Sequence, residues 1–182
     1  ALTDEGRRDA LRVVRIHRLW ERYLADETGL PASDWHPVAE RREHRTSPEE
    51  ADAMAAALGY PRFDPHGDPI PTSAGELPPR RGVPLTELAM GSEAVVVHVE
   101  DEPGAVYAQL VAANVAPGTR VRVIEVAPTR IRLATETDEV VLAPVVAANL
   151  TVLPFDESAA AARTAAPLSS LARGERARVV GI

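Results

Sequence analysis

The apolar positions of the chain change period near residue 60. Upstream they recur at intervals of three and four. Val13, Ile16, Trp20 and Leu24 line one face of LTDEGRRDALRVVRIHRLWERYLADETGL, which predicts a long helix over residues 3–28 that ends at Gly29. Ser33 or Asp34 is placed to cap a second helix, with Pro37 in its first turn, running to His44. Ser47-Pro48-Glu49-Glu50 has the cap and first-position proline of a third helix carrying residues 51–58. Residues 61–82, PRFDPHGDPIPTSAGELPPRRG, are rich in Pro and Gly and read as an ordered or semi-rigid connector.

Beyond the connector the period becomes two. β-Branched runs at 94–99, 120–126, 130–134 and 139–142 predict short strands, separated by turns such as Ala116-Pro117-Gly118-Thr119, and 105–113 predicts one short helix. Strands this short and closely spaced suggest a small barrel rather than a parallel sheet. The expected class is therefore α+β, with a helical domain over 1–60, the connector over 61–82 and a barrel over 83–154. PLTELAMGSEAVVVHV (84–99) then returns as PLSSLARGERARVVGI (167–182), after a linker over 155–166. The second copy stops after its first strand, which cannot bury a face alone, so the expectation is a truncated second unit and a chain that ends inside a domain.

Composition narrows the function classes. A net charge of −7 argues against this piece gripping nucleic acid by itself. The absence of cysteine excludes disulfides and thiolate zinc sites. No apolar run approaches the ~20 residues that cross a bilayer, and no signal peptide opens the chain, so a cytoplasmic location without membrane contact is expected.

The candidate chemistry lies in WHPVAERREH. On a helix, His36, Glu40, Glu43 and His44 fall at i, i+4, i+7 and i+8, one stripe about two turns long. Upstream, His17 and Glu21 stand at i, i+4 on the face of Val13, Trp20 and Leu24, so the two sets can converge between helices. Any one of these residues fits a solvated, salt-bridged face beside Arg41, Arg42 and Arg45, or a core histidine. Six together need a compensating charge, because carboxylates packed close repel one another, and a divalent cation supplies it. Imidazole and carboxylate without thiolate suit Mn²⁺ or Fe²⁺, with Co²⁺, Ni²⁺ and Zn²⁺ as chemical surrogates. Asp64 and His66 are assigned to turn structure, and His98 has no ligand partner nearby in sequence. A carboxylate-bridged metalloenzyme would need four helices where only three precede the connector, so no enzymatic activity is expected.

These residues resemble a known family. LTDEGRRDALRVVRIHRLWERYL, WHPVAERREH and SPEEADAMAAALGYPRFDPHGDPIP, spanning residues 1–72, are similar to the metal-binding and dimerisation domain of the diphtheria-toxin-repressor (DtxR/MntR) family of iron- and manganese-dependent regulators. Residues 83–154 resemble the SH3-like FeoA barrel that follows it in many members, and 167–182 the start of another. The resemblance implies that Glu40, Glu43 and His44 serve a regulatory metal site, and that His17, Glu21 and His36 serve an ancillary one. In manganese-type members the counterpart of His17 joins the first set. Iron-type members carry Cys where Glu40 stands, and add Glu and Gln three apart from the barrel; here Glu102 is the candidate for the first of those, and no Gln stands three residues beyond it. A homodimer is implied, as is operator DNA bound through an N-terminal winged-helix domain not present in this chain, of whose wing LTDEGR resembles the end. The cation then acts as corepressor in a repressor of metal homeostasis. The alternative is a cytoplasmic regulatory domain fused to, or associated with, a metal-uptake transporter.

Overall fold

The computed structural model describes residues 3–155; the repeat over 167–182 and the linker beyond residue 155 lie outside them. Helix α1 spans Asp4–Glu27, capped by Thr3, whose hydroxyl accepts from the Gly6 backbone N–H at 3.1 Å. It ends as expected, with Gly29 in the left-handed region at φ 66°. Its buried stripe is Ile16, Leu19, Glu21 and Leu24, one carboxylate among apolar groups.

Helix α2 spans Ala32–Glu43 and begins earlier than Ser33 or Asp34 would set it. Pro31 holds the cap position without a side-chain bond, so Pro37 falls in the helix interior, where it removes one backbone hydrogen bond. Helix α3, Pro48–Ala57, opens on a full capping box: the Ser47 hydroxyl accepts from the Glu50 N–H, and the Glu50 carboxylate accepts from the Ser47 N–H. Ile16 and Leu19 of α1 pack on Ala51 and Ala55 of α3 and on Ile70 of the connector. The first part of the connector thus lends its one large buried aliphatic to the helical unit.

The β unit runs β1 Val83–Pro84, a 3₁₀ turn Leu85–Glu87, β2 Glu93–Val99, α4 Gly104–Ala112, β3 Arg120–Ala127, β4 Arg130–Ala134, β5 Glu139–Leu142, α5 Pro144–Ala147 and β6 Leu150–Pro154. Its sheet is antiparallel, with order β1-β6-β2-β3-β4-β5. Register shifts between Val96 and His98, and between Val123 and Glu125, bend the sheet around a core of Leu85, Val96, Leu110, Leu133 and Leu150. The α+β class and the four strands and one helix expected from the period-two region are present. β1, α5 and β6 are additional; their sequences are short and contain or adjoin proline, and the two strands form by pairing, β6 with β2 and β1 with β6.

What positions the site is the fastening of the connector to β2. Gly67 has φ 91°, and a Cβ built there would lie 2.0 Å from the Val97 carbonyl oxygen, so only glycine permits this approach. Next to it, the Val99 N–H donates to the His66 carbonyl at 2.9 Å. Asp64 turns the same loop by accepting from the N–H groups of His66 and Asp68.

Candidate metal centre

Glu21 is the centre of the arrangement. It is 2% exposed, on the buried face of α1, and three imidazoles surround it. His17, one turn away on the same helix, places Nε2 at 3.1 Å from its Oε1. His36, from the first half of α2, places Nδ1 at 3.3 Å from the same oxygen. His66, from the connector, aims Nδ1 at Oε2 from 3.6 Å. Asp101, in the loop after β2, closes the group from the β unit: its Oδ2 lies 2.8 Å from His36 Nδ1 and 4.0 Å from His66 Nδ1. We refer to Glu21, His36, His66 and Asp101 as the inner cluster.

An outer cluster continues along α2. His17 Nδ1 meets Glu43 Oε2 at 2.6 Å, and Glu43 Oε1 lies 3.2 Å from His44 Nε2. Here exposure rises steeply: the Glu43 side chain is 11% exposed and that of His44 is 72% exposed. Glu40 is exposed, lines a shallow depression with Arg41, Arg42, His44 and Arg45, and meets no hydrogen-bond or ion-pair partner among the described residues. Of the residues singled out from sequence, His17, Glu21, His36 and Glu43 are brought together, His44 lies at the rim, and Glu40 stands apart. Glu102 is at the margin as well, 3.7 Å from His36 Nε2 with its side chain 73% exposed. Its neighbour Asp101 takes the inward position.

Burial and the neighbouring charges act in opposite directions on these groups. Burial alone would lower the His17 pKa, but hydrogen bonds and charge from Glu21 and then Glu43 outweigh it and raise it to about 9. Burial pushes Glu21 up, and the His17 hydrogen bond with the charge of His66 brings it well below the usual carboxylate range. Asp64 rises to about 7, first because it is buried and then because Glu21 is charged. Tyr107 rises to about 12 through burial and the nearby Asp101 charge, so its hydroxyl keeps its proton.

The donor set fits a divalent ion. Two triads, His17–Glu21–His36 and Glu21–His66–Asp101, each bring one donor atom per residue within 4.8 Å of the others. His36 Nδ1 is buried without a hydrogen bond, although carboxylate oxygens stand at 2.8 and 3.3 Å from it. These oxygens lie off the direction of a ring N–H, so His36 Nδ1 is close to carboxylates without being bonded to them. Imidazole and carboxylate donors alone suit Mn²⁺, Fe²⁺ or their neighbours in the series.

Sequence reasoning missed His66 and Asp101. The signal was present in Asp64-Pro65-His66-Gly67-Asp68, a titratable run in a connector whose glycine must take a left-handed conformation, but its partners are distant in sequence. His98 likewise has a partner only in three dimensions: Asp68, at 3.4 Å.

Residues 3–72 match the family described as "Iron dependent repressor, metal binding and dimerisation domain", and residues 83–154 match the FeoA domain. A solved structure titled "Manganese-dependent transcriptional repressor complex with manganese" is 32% identical, with a TM-score of 0.80 over 85% of this chain and 75% of that one. This chain belongs to the DtxR/MntR family of iron- and manganese-dependent regulators. Among curated family members, the iron-dependent repressor IdeR of Mycobacterium leprae is 37% identical over 135 residues, 67% of this chain and 58% of the relative, so the chain spans less than two thirds of its length. The Chlamydia trachomatis "Probable metal transport system membrane protein" is 38% identical over 71 residues, 39% of this chain and 16% of that protein. No helix among the described residues of this family member is long and apolar enough to cross a membrane.

Proposed function

We propose that this chain is the metal-sensing and dimerisation portion of a cytoplasmic, Mn²⁺- or Fe²⁺-dependent transcriptional repressor of metal homeostasis. The observation that carries the reading is the convergence on Glu21 of imidazoles from α1, α2 and the connector and of a carboxylate from the β unit. Glu21, His36, His66 and Asp101 would hold one ion; His17, Glu43 and His44, with Glu40 from the same helix, would contribute to a second. A bound cation supplies the positive charge that lets these carboxylates stay ionised and close. Asp64 and Arg18 back the inner cluster, the guanidinium Nε lying 3.7 Å from Asp64 Oδ2 and its Nη1 donating to the Pro69 carbonyl. Because α1, α2, connector and β unit all contribute, ion binding favours one relative arrangement of the segments, which is what a ligand-operated regulator requires.

A homodimer through the helical domain, and operator DNA read by a winged-helix part of the full-length protein, complete the reading by resemblance to the family. The rival, a regulatory domain of a metal-uptake transporter, draws on the match to the chlamydial membrane protein, but that match covers 39% of this chain against 85% for the manganese-dependent repressor. The deciding experiment is a mobility shift of the full-length gene product on its own upstream DNA. Retention with Mn²⁺ or Fe²⁺ and release by chelator is expected. Binding that ignores metal, or a gene product carrying membrane spans, contradicts the repressor reading.

A further inference from the structure

We propose that Tyr107 of the β unit is the positioning residue that presents His66 to the metal, holding the ring proton on Nε2 so that Nδ1 is free to ligate. The inference rests on reading the inner cluster as a metal site. It concerns a residue whose hydroxyl is hydrogen-bonded to His66.

His66 is fully enclosed, 2% exposed, so its ring nitrogens must find partners inside the protein. Nε2 has one: the Tyr107 hydroxyl at 3.1 Å. Nδ1 faces Glu21 and Asp101 at 3.6 and 4.0 Å, beyond hydrogen-bond distance from either oxygen. The ring is also boxed in orientation. Tyr107 stands edge-on to it, with centroids 5.1 Å apart at 81°, and Trp35 lies at 5.9 Å on another side. An imidazole ligates through a nitrogen that carries no proton, and the other nitrogen's hydrogen bond decides which one that is. With Nε2–H donating to the Tyr107 oxygen, Nδ1 presents its lone pair to the space shared by Glu21 and Asp101. Tyr107 sits on α4, which also lends Leu110 to the β-unit core, so the hydroxyl is anchored by the β unit while His66 belongs to the connector. A barrel residue thereby sets the chemistry of a ligand outside the barrel, alongside the direct contribution of Asp101.

The test is a double-mutant cycle on the full chain, with Mn²⁺ alone titrated by calorimetry into wild type, Tyr107→Phe, His66→Gln and the double variant, each checked by thermal melting without metal. Removing the hydroxyl should weaken uptake at the inner cluster about 10–100-fold, the usual loss for a group that orients a ligating imidazole. In the His66→Gln background the same change should alter affinity less than about twofold, because nothing remains for Tyr107 to orient. Equal losses in both backgrounds would mean a purely structural role and overturn the proposal, as would Tyr107→Phe binding like wild type. Long-range ¹H–¹⁵N spectra of Zn²⁺-loaded wild type give an answer that needs no variant: the His66 ring proton is expected on Nε2, and a proton on Nδ1 would refute it. Wild type that takes up no Mn²⁺ removes the metal reading itself, an outcome distinct from a silent Tyr107→Phe.

Discussion

The inner and outer clusters are built from the same residue types and share His17 as a bridge, yet they differ in how they are enclosed. The inner one draws on four segments, α1, α2, the connector and the loop after β2, and its carboxylate Glu21 is buried. The outer one, apart from His17, belongs to the end of a single helix, and its members grow more exposed from Glu43 to His44. Tertiary enclosure therefore gives the inner cluster its donors from several directions, whereas local helical spacing gives the outer cluster donors from one side only. If both clusters take ions, the inner one should do so more tightly within this chain, because its donors are already held in place.

The strongest way to break this contrast is Gly67→Ala. The added methyl has no room against the Val97 carbonyl and the residue is held at φ 91°, so the loop carrying Asp64 and His66 must leave β2. Mn²⁺ uptake at the inner cluster should fall by 100-fold or more, about 2.7 kcal/mol, while the outer cluster is unaffected. Calorimetry in which both events survive unchanged would show that the connector does not build the site.

The second variant pair separates neighbours. Asp101→Asn should weaken inner-cluster uptake about tenfold or more, because the inward carboxylate beside His36 and His66 is lost. Glu102→Gln should change little, since that side chain is mostly exposed. The reverse order of effects would restore Glu102, the residue favoured by the sequence, as the ligand from the β unit.

This pair also shows what the sequence could and could not convey. The i, i+4 relation of His17 and Glu21, and the stripe from His36 to His44, are local properties of helices and were legible as such. Which end of the stripe is enclosed was not, because enclosure comes from the connector and the β unit. His66 and Asp101 join the site across distances of 45 and 80 residues from Glu21 (66 − 21 and 101 − 21), with no periodic signal between them. The resemblance pointed to Glu102, whereas the fold turns its neighbour Asp101 inward beside His36 and leaves Glu102 mostly exposed. The β core was more legible, and the internal repeat has the same logic: buried Leu85, Ala94 and Val96 keep their residue types at Leu168, Ala177 and Val179, while exposed Met90 and Glu93 become Arg173 and Arg176. What the second copy keeps in sequence are the residue types that are buried in the first.

A smaller effect is expected from pH. His17 has its pKa raised from 6.5 to about 9 by Glu21 and Glu43, against the effect of burial. The stability it gives the metal-free fold is fully present below pH 6.5 and is lost as pH rises through about 9. A metal ion competes with that proton, so the gap in melting temperature between metal-loaded and metal-free protein should widen from pH 6.5 to 9. A gap that is constant over this window, or narrows, would indicate that His17 is not part of either metal site.

The central claim is that Glu21 organises a divalent-metal site enclosed by all four segments. Its most direct measurement is anaerobic calorimetry of Mn²⁺ into wild type, Glu21→Gln and Glu40→Gln at neutral pH, with circular dichroism confirming that each is folded. The account predicts a tight event in wild type that survives in Glu40→Gln and disappears in Glu21→Gln. A tight event that persists without the Glu21 carboxylate, or vanishes with that of Glu40, would contradict it.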